Sequence, residues 1–396
     1  MSTPKKAWLL ILIFISLCIF FLPRTIPKKQ ACAQEKTTAE ETLHDQAEKL
    51  LEELDLEGLQ KYIQSLDGWA GENVTERLLA YIKGENFDYN AFGMQIREIL
   101  FRNVREILPS FACIAAIALL SGVISGLKSG TAGAASSNMI FLISYAAALI
   151  PLLSVLTECF LVSLNAVQAM QKQMQLTFPL LLTLMAASGG TVTVSVCRPA
   201  VAFFSTSIVS TVSSVVFPLT VTIIAFSIAG NLTKELKISK FSAFFKSINK
   251  WIIGICISVF GIFFTLQGIT AAAYDGVVRR AAKYAIGNGI PIVGGFLSGG
   301  FDLAVAGSIL IKNSLGSMSI FLMISVLFEP LILLVSVNVL LRFTAAITQP
   351  FGDSRISDFL GETADNLHYC TAGLLFTAFM YFLTIMLLIT STEALL

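Results

Sequence analysis

The stretch IGNGIPIVGGFLSGGFDLAVAG, residues 286–307, decides how the rest of the chain is understood. Seven of its 22 residues are glycine, Pro291 stands inside it, and one carboxylate, Asp302, lies among apolar neighbours. A soluble loop would carry more polar side chains, and an ordinary membrane helix is not interrupted so often. Backbone unwinds at membrane depth only where protein buries it or where it lines an aqueous cavity. The stretch therefore predicts a re-entrant or broken helix, with Gly294, Gly295, Gly299 and Gly300 letting the backbone turn. The same glycines also suit a tight seam between helices, because Gly295 and Gly299 have the small-xxx-small spacing.

Bulk composition agrees with a membrane setting. Apolar residues make up 55% of the 396, charged residues only 13%, and mean hydropathy is +0.77. Soluble domains carry about 25% charge, so this is an integral membrane protein, and its apolar runs make it an all-α polytopic one. The net charge of +1 hides a segregation: Glu35 to Glu106 hold 16 acids and 8 bases, while residues 107–396 hold 10 acids and 14 bases. An acidic water-soluble segment, 34–106, precedes a weakly basic membrane body, 107–396.

The N-terminus carries Lys5 and Lys6 ahead of an apolar run from Ala7 to Leu22. Residues 1–33 fit a signal sequence with Ala31-Cys32-Ala33 as its small-residue cleavage site, or else an uncleaved anchor. Either way the acidic segment is expected outside the cytoplasm. Within it, Leu50, Leu51, Leu54, Leu59, Ile63 and Leu66 recur at roughly helical spacing. Short amphipathic helices result from that spacing, packed on the membrane body or on a partner, or forming a solvated linker.

Apolar runs long enough to cross a bilayer cover 107–126, 139–164, 199–229, 251–273, 315–341 and 369–391. Two further segments, 176–197 and 290–311, open with a proline (Pro179, Pro291) and then meet a glycine pair (Gly189-Gly190, Gly299-Gly300). About six to eight membrane segments result. Pro179 and Pro291 are 112 positions apart (291 − 179), as are Pro218 and Pro330 (330 − 218). This spacing reads as an internal duplication, with repeats 176–287 and 288–396. Breaks at equivalent places in two halves point to a binding or conduction site in transporters. Pro179, Gly189, Gly190, Pro291, Gly294, Gly295, Gly299, Gly300 and Asp302 are therefore the candidate pathway residues.

If both irregular segments are re-entrant, the repeats are parallel and loop 231–250, with five lysines and one glutamate, faces the cytoplasm. If both cross, the repeats are inverted and the loop lies outside. The positive-inside bias favours the first arrangement. Phe241, Phe244, Phe245 and Ile248 share one side of that loop as a helix, which suits an amphipathic segment with lysines toward anionic headgroups or toward a partner.

Ionisable residues within the apolar runs are Glu158, Asp302 and Glu329, each costly in hydrocarbon and apt to face a cavity or a partner. Arg198 and Lys312 sit at run ends, where they can snorkel. Catalysis finds no support: the sequence holds two histidines, no HExxH and no GxxxxGK[ST] loop, and its seven cysteines show no paired spacing. No enzyme activity, cofactor or metal is expected.

FPLLLTLMAASGG at 178–190 and QGITAAAYDGVVRRAAKYAIGNGIPIVGGFLSGGFDLAVAGSILIKNSLG at 267–316 resemble the stage III sporulation protein AE family of endospore-forming bacteria. The overall plan of signal sequence, acidic segment and multi-pass body is similar too. The resemblance implies a protein of the mother-cell (outer forespore) membrane, with its acidic segment between the two membranes. It implies partners among the other stage III sporulation A membrane proteins, including a cytoplasmic ATPase and ring-forming subunits, and a forespore membrane protein, but no nucleic acid. It implies a trans-envelope channel needed for forespore development and late forespore gene expression, in which this chain is a permease-like or export-gate subunit. A non-conducting platform for the other subunits, or a stand-alone small-molecule transporter, fits the same residues.

Overall fold

The structure, a computed structural model, describes residues 47–52, 54–66, 73–82, 89–128, 134–232, 238–289, 294–350 and 354–390. The signal sequence lies outside the described residues, as does Pro291. A helical segment at 47–52 comes first, followed by two short helices, α1 (Glu57–Gln64) and α2 (Val74–Ile82). Leu59, Tyr62 and Ile63 form the buried stripe of α1, and Val74, Leu78 and Ile82 that of α2. The Gln60 Oε1 accepts a hydrogen bond of 2.7 Å from the Val74 N–H, which satisfies one free donor at the start of α2 and ties the two helices together.

The body is built of long helices: α3 (Tyr89–Lys128), α4 (Ala134–Ala187), α5 (Thr191–Thr211), α6 (Phe217–Leu232), α7 (Ser239–Gly289), α8 (Gly294–Thr348) and α9 (Ser354–Thr390). A single π-turn, Val212–Val216, joins α5 to α6 without a break. It falls directly before Pro218, which has no N–H to give to the preceding turn. The Phe217 N–H instead reaches back five residues to the Val212 carbonyl. The π-turn thus absorbs the proline, and α5 and α6 act as one membrane-length helix. Six lengths long and apolar enough to cross a membrane are present among the described residues.

Neighbouring lengths run antiparallel. Tyr145 of α4 donates to the Ile228 carbonyl of α6 at 2.9 Å, and Phe160 lies beside Phe217. Phe226 of α6 stacks on Phe241 and Phe245 of α7. The α8–α9 hairpin is fixed by Asn338 donating to the Ala364 carbonyl (2.6 Å) and Ser357 to that of Ala345 (2.9 Å). This hairpin forms the centre of the bundle: the most apolar window of α9 is 61% buried, against 11% for α7.

The irregular segments make no crossings of their own. Residues 176–187 continue α4, and residues 294–311 belong to α8, so neither stretch is re-entrant. The stretch 231–250, expected as a loop, is helical over most of its length, 231–232 ending α6 and 239–250 opening α7. The six alternating lengths bring the end of α6 and the start of α7 to the same end of the bundle as the end of α3 and the end of α8. The 112-residue offset has no counterpart for the turn at 188–190, since position 301 (189 + 112) lies within α8.

Helices of 54 and 55 residues are about 81 Å long, far more than the roughly 30 Å of bilayer hydrocarbon. Outward side chains show which part meets lipid. On α4 the large exposed apolar residues run from Met139 to Leu161, a span of about 33 Å. On α3 they run from Met94 to Ile124, but exposed Arg97, Glu98, Arg102, Arg105 and Glu106 interrupt them, and the uncharged outer stretch from Leu108 to Ile124 is about 24 Å. On α8 they run from Val335 to Ile347. The rest of α4 shows Asn165, Gln168, Lys172 and Gln175 outward instead, and there α1 packs. Tyr62 donates to the Ala169 carbonyl at 3.2 Å, Lys172 lies over its ring, and Gly58 meets Leu176. Tyr81 of α2 stacks on Phe321 of α8. The acidic segment is therefore docked on the body over its described length, not a free linker.

Candidate functional site

Of the residues singled out by sequence, the glycine pair at 189–190 does end a helix. Gly189 has φ 94°, its N–H bonds the Ala186 carbonyl, and the Gly190 N–H bonds that of Met185. This pair of bonds is the Schellman closure that a left-handed glycine permits. Pro179 lies ten residues earlier, exposed inside α4.

Gly299 and Gly300 do not break a helix. Gly294, Gly295, Gly299 and Gly300 all belong to the continuous α8, which reaches Thr348. Each glycine costs about 1 kcal/mol against alanine in a helix, and the long remainder of α8, with buried residues from Val305 onward, carries the helix through them. The Gln173 side chain donates to the Ser319 carbonyl at 3.0 Å. Gly190 and Asp302 each lie 17 residues from that bond, both toward the same end of the bundle (190 − 173; 319 − 302).

The intramembrane acids are scattered. Glu158 is exposed on the outer face of α4, in a shallow hollow with Leu153, Thr157 and Leu161. Glu329 pairs with Arg102 of α3 at 3.0 Å, both half-exposed. The two acids thus have different surroundings, Glu158 in the hollow on α4 and Glu329 against Arg102 of α3.

The bundle's own polar groups lie elsewhere, along the seams of α8 and α9. Lys312 is fully buried, and its Nζ donates to the Ile389 carbonyl at 2.7 Å, one residue from the end of α9. A cation suits a helix C-terminus, where carbonyls lack intrahelical donors. It does not snorkel, contrary to the expectation from its place in the sequence, because α8 runs on as helix well past it in both directions. Gln173, Thr177, Ser319 and Tyr381 are buried in the same half of the bundle. The Gln173 Oε1 has no hydrogen-bond partner among the described residues.

A second group lies toward the other end. Arg342 of α8 donates to Asp365 of α9 at 2.6 Å and to Asn338 at 3.1 Å. Glu362 of α9 accepts from Ser227 and from Asn231 of α6, the latter at 3.1 Å. Asn366, fully buried, has neither side-chain atom hydrogen-bonded among the described residues. Sequence reasoning missed this group because Asp358, Glu362 and Asp365 precede the apolar run at 369–391. Their i, i+4, i+7 spacing was the available signal. No cluster of metal-ligating side chains occurs among the described residues.

Outside the membrane-length helices, three ionisations are displaced among the described residues. The hydrogen bond between Lys61 and Glu57 holds the Glu57 carboxyl below and the Lys61 ammonium above their ordinary values. Burial of Tyr62 between α1 and α4 pushes its phenol up to about 12, which favours the neutral form that donates to the Ala169 carbonyl.

Comparison with known proteins fits this architecture. The family model described as Stage III sporulation protein AE matches residues 73–392, from α2 through the last turn of α9. Stage III sporulation protein AE of Bacillus subtilis (strain 168) is 27% identical over 253 residues, which span 63% of this chain and 63% of that relative. No solved structure matches the chain. With six apolar lengths and a family match that covers most of its residues, the chain belongs to the stage III sporulation protein AE family.

Proposed function

We propose that this chain is the permease-like or export-gate subunit of a trans-envelope channel that joins mother cell and forespore. Family membership gives it a role in sporulation and the long apolar helices make it a multi-pass membrane protein; the channel is our reading. In this reading the protein sits in the mother-cell (outer forespore) membrane with α1 and α2 on the extracytoplasmic side. It assembles there with the other stage III sporulation A proteins, their cytoplasmic ATPase and a forespore partner. It carries out no catalytic step itself.

The observation that supports conduction is the set of buried polar groups without full hydrogen bonding. Buried amides are nearly always paired, and a fully buried unpaired one is costly. Asn366 with both atoms unpaired and Gln173 with one, in helices that also bury Lys312, keep hydrogen-bonding capacity at the bundle's centre. Groups of that kind suit a seam that opens to polar solutes.

A cysteine scan tests it. Single cysteines at Thr177, Ser319 and Asn366 are exposed to a small water-soluble thiol reagent in sporulating cells. Labelling at these buried positions, dependent on the assembled complex, is the expected result. If all three stay unlabelled while sporulation proceeds, conduction through this bundle is wrong. The platform reading then stands, and it has support of its own in the capped turn at Gly189 and the uninterrupted α8.

A further inference from the structure

We propose that copies of this chain associate with one another through the acidic face of α9 on one copy and the lysine face at the start of α7 on the next. Asp358, Gly361, Glu362 and Asp365 share one face of α9, and the three carboxylates are exposed. Arg342 pairs with Asp365 only, so this face keeps a net negative charge. It lies alongside the part of α8 whose outward residues are Val339, Phe343 and Ile347. Charged side chains next to an apolar outer surface of this kind are normally covered by protein or water.

The complementary face is on the same chain and begins at the same height. Phe226 of α6 stacks on Phe241 and Phe245 of α7, and the next residue, Ser227, donates to Glu362 of α9. Lys240 and Ala243 are thus level with the acids across α6, while Lys250 lies deeper in the bundle, since the neighbouring Asn249 donates to Thr220 at 3.1 Å. Lys240, Ala243, Ser247 and Lys250 recur along α7 at i, i+3, i+7 and i+10, all exposed. Neither lysine is in an ion pair among the described residues, and neither is Asp358 or Glu362. In a shared membrane, copies meet at equal depth, so the lysine face of one reaches the carboxylates of the next. The two faces differ, so the contact is heterologous and repeats in one direction, as in a ring. An isologous contact through α9 alone would instead bring carboxylate against carboxylate.

The whole chain is used for the test, in membranes. A Gly361→Cys, Ala243→Cys pair is oxidised; Gly361 suits this because an added Cβ meets nothing within 4 Å. The expected result is a ladder of disulfide-linked multimers. Asp358→Lys with Glu362→Lys should abolish the ladder, and adding Lys240→Glu with Lys250→Glu to the same chain should restore it. The milder Asp358→Asn, Glu362→Gln pair should weaken it at unchanged protein level, which separates contact loss from misfolding. A disulfide within one chain, a link only to another protein, no link at all, or a ladder indifferent to either reversal would each overturn the proposal. Conduction is not involved in any of these readouts.

Discussion

Replacing Gly316 by alanine tests the central hairpin. Gly316 is buried on α8, and a Cβ built there would overlap the Cγ1 and Cδ1 of Ile389 and lie 3.6 Å from the Ile385 side chain. Two effects oppose each other. Alanine gains about 1 kcal/mol over glycine in a helix, whereas an added methyl in a filled core costs about 1–3 kcal/mol. Ile389 stands one residue from the end of α9, so its side chain can give way in part, and the net loss should be about 1 kcal/mol. Ile389→Ala alone should cost about 2 kcal/mol, at the low end for such truncations because the residue is only partly buried. Together the two changes should cost less than their sum by about 1 kcal/mol, since the new methyl occupies the space vacated. Thermal unfolding of the detergent-solubilised protein, followed with a thiol-reactive fluorophore, measures all three variants, because Cys159, Cys197 and Cys370 are buried until the bundle opens. A Gly316→Ala protein more stable than the parent, with additive effects in the pair, would show that α8 and α9 do not meet there.

The turn after α4 gives a sharp contrast: Gly189→Ala should cost about 1–2 kcal/mol because of its left-handed φ of 94°, while Gly190→Ala, at φ −82°, should be near neutral in the same assay. Docking of α1 should depend on pH in one direction. The Tyr62 phenol is neutral when folded up to about 12 but ionises near 10 when unfolded, so its contribution is complete below pH 10 and is lost between 10 and 12. Limited proteolysis at Lys61 and Arg77 should rise across that window, and Tyr62→Phe should flatten the part due to this residue. For the Arg102–Glu329 pair, both partners are about half exposed. Arg102→Ala should therefore cost more than Arg102→Ala with Glu329→Gln, since the double change leaves no lone carboxylate beside the apolar face of α3; equal or additive costs would mean that the pair is fully hydrated.

The two Ser-Gly-Gly triplets show what the sequence could and could not reveal. Apolar length and composition are local properties, so the long apolar helices and the amphipathic stripe of α1 were visible in the residues themselves. The six lengths found, by contrast, lie at the low end of the six to eight expected, and 239–250, expected as part of a loop, opens α7. Ser188-Gly189-Gly190 and Ser298-Gly299-Gly300 look alike in isolation, yet only the first ends a helix. The residues C-terminal to each triplet make the difference. Thr191, Val192, Thr193 and Val194 are β-branched and poor at extending a helix through two glycines, and the Ser188 hydroxyl caps the Met185 carbonyl at 2.9 Å. Leu303, Ala304, Val305 and Ala306 include stronger helix formers and carry α8 through the pair. The acids of α9 were illegible for another reason. Asp358, Glu362 and Asp365 stand before the apolar run at 369–391, and only the pairing of Ser357 with Ala345 and of Asn338 with Ala364 raises them to the height of the exposed Val339 and Phe343. That register depends on where a 55-residue helix ends. The end of α8 also fixes Lys312 against Ile389, so one long-range quantity, the length of α8, set both polar groups that residue spacing alone left hidden.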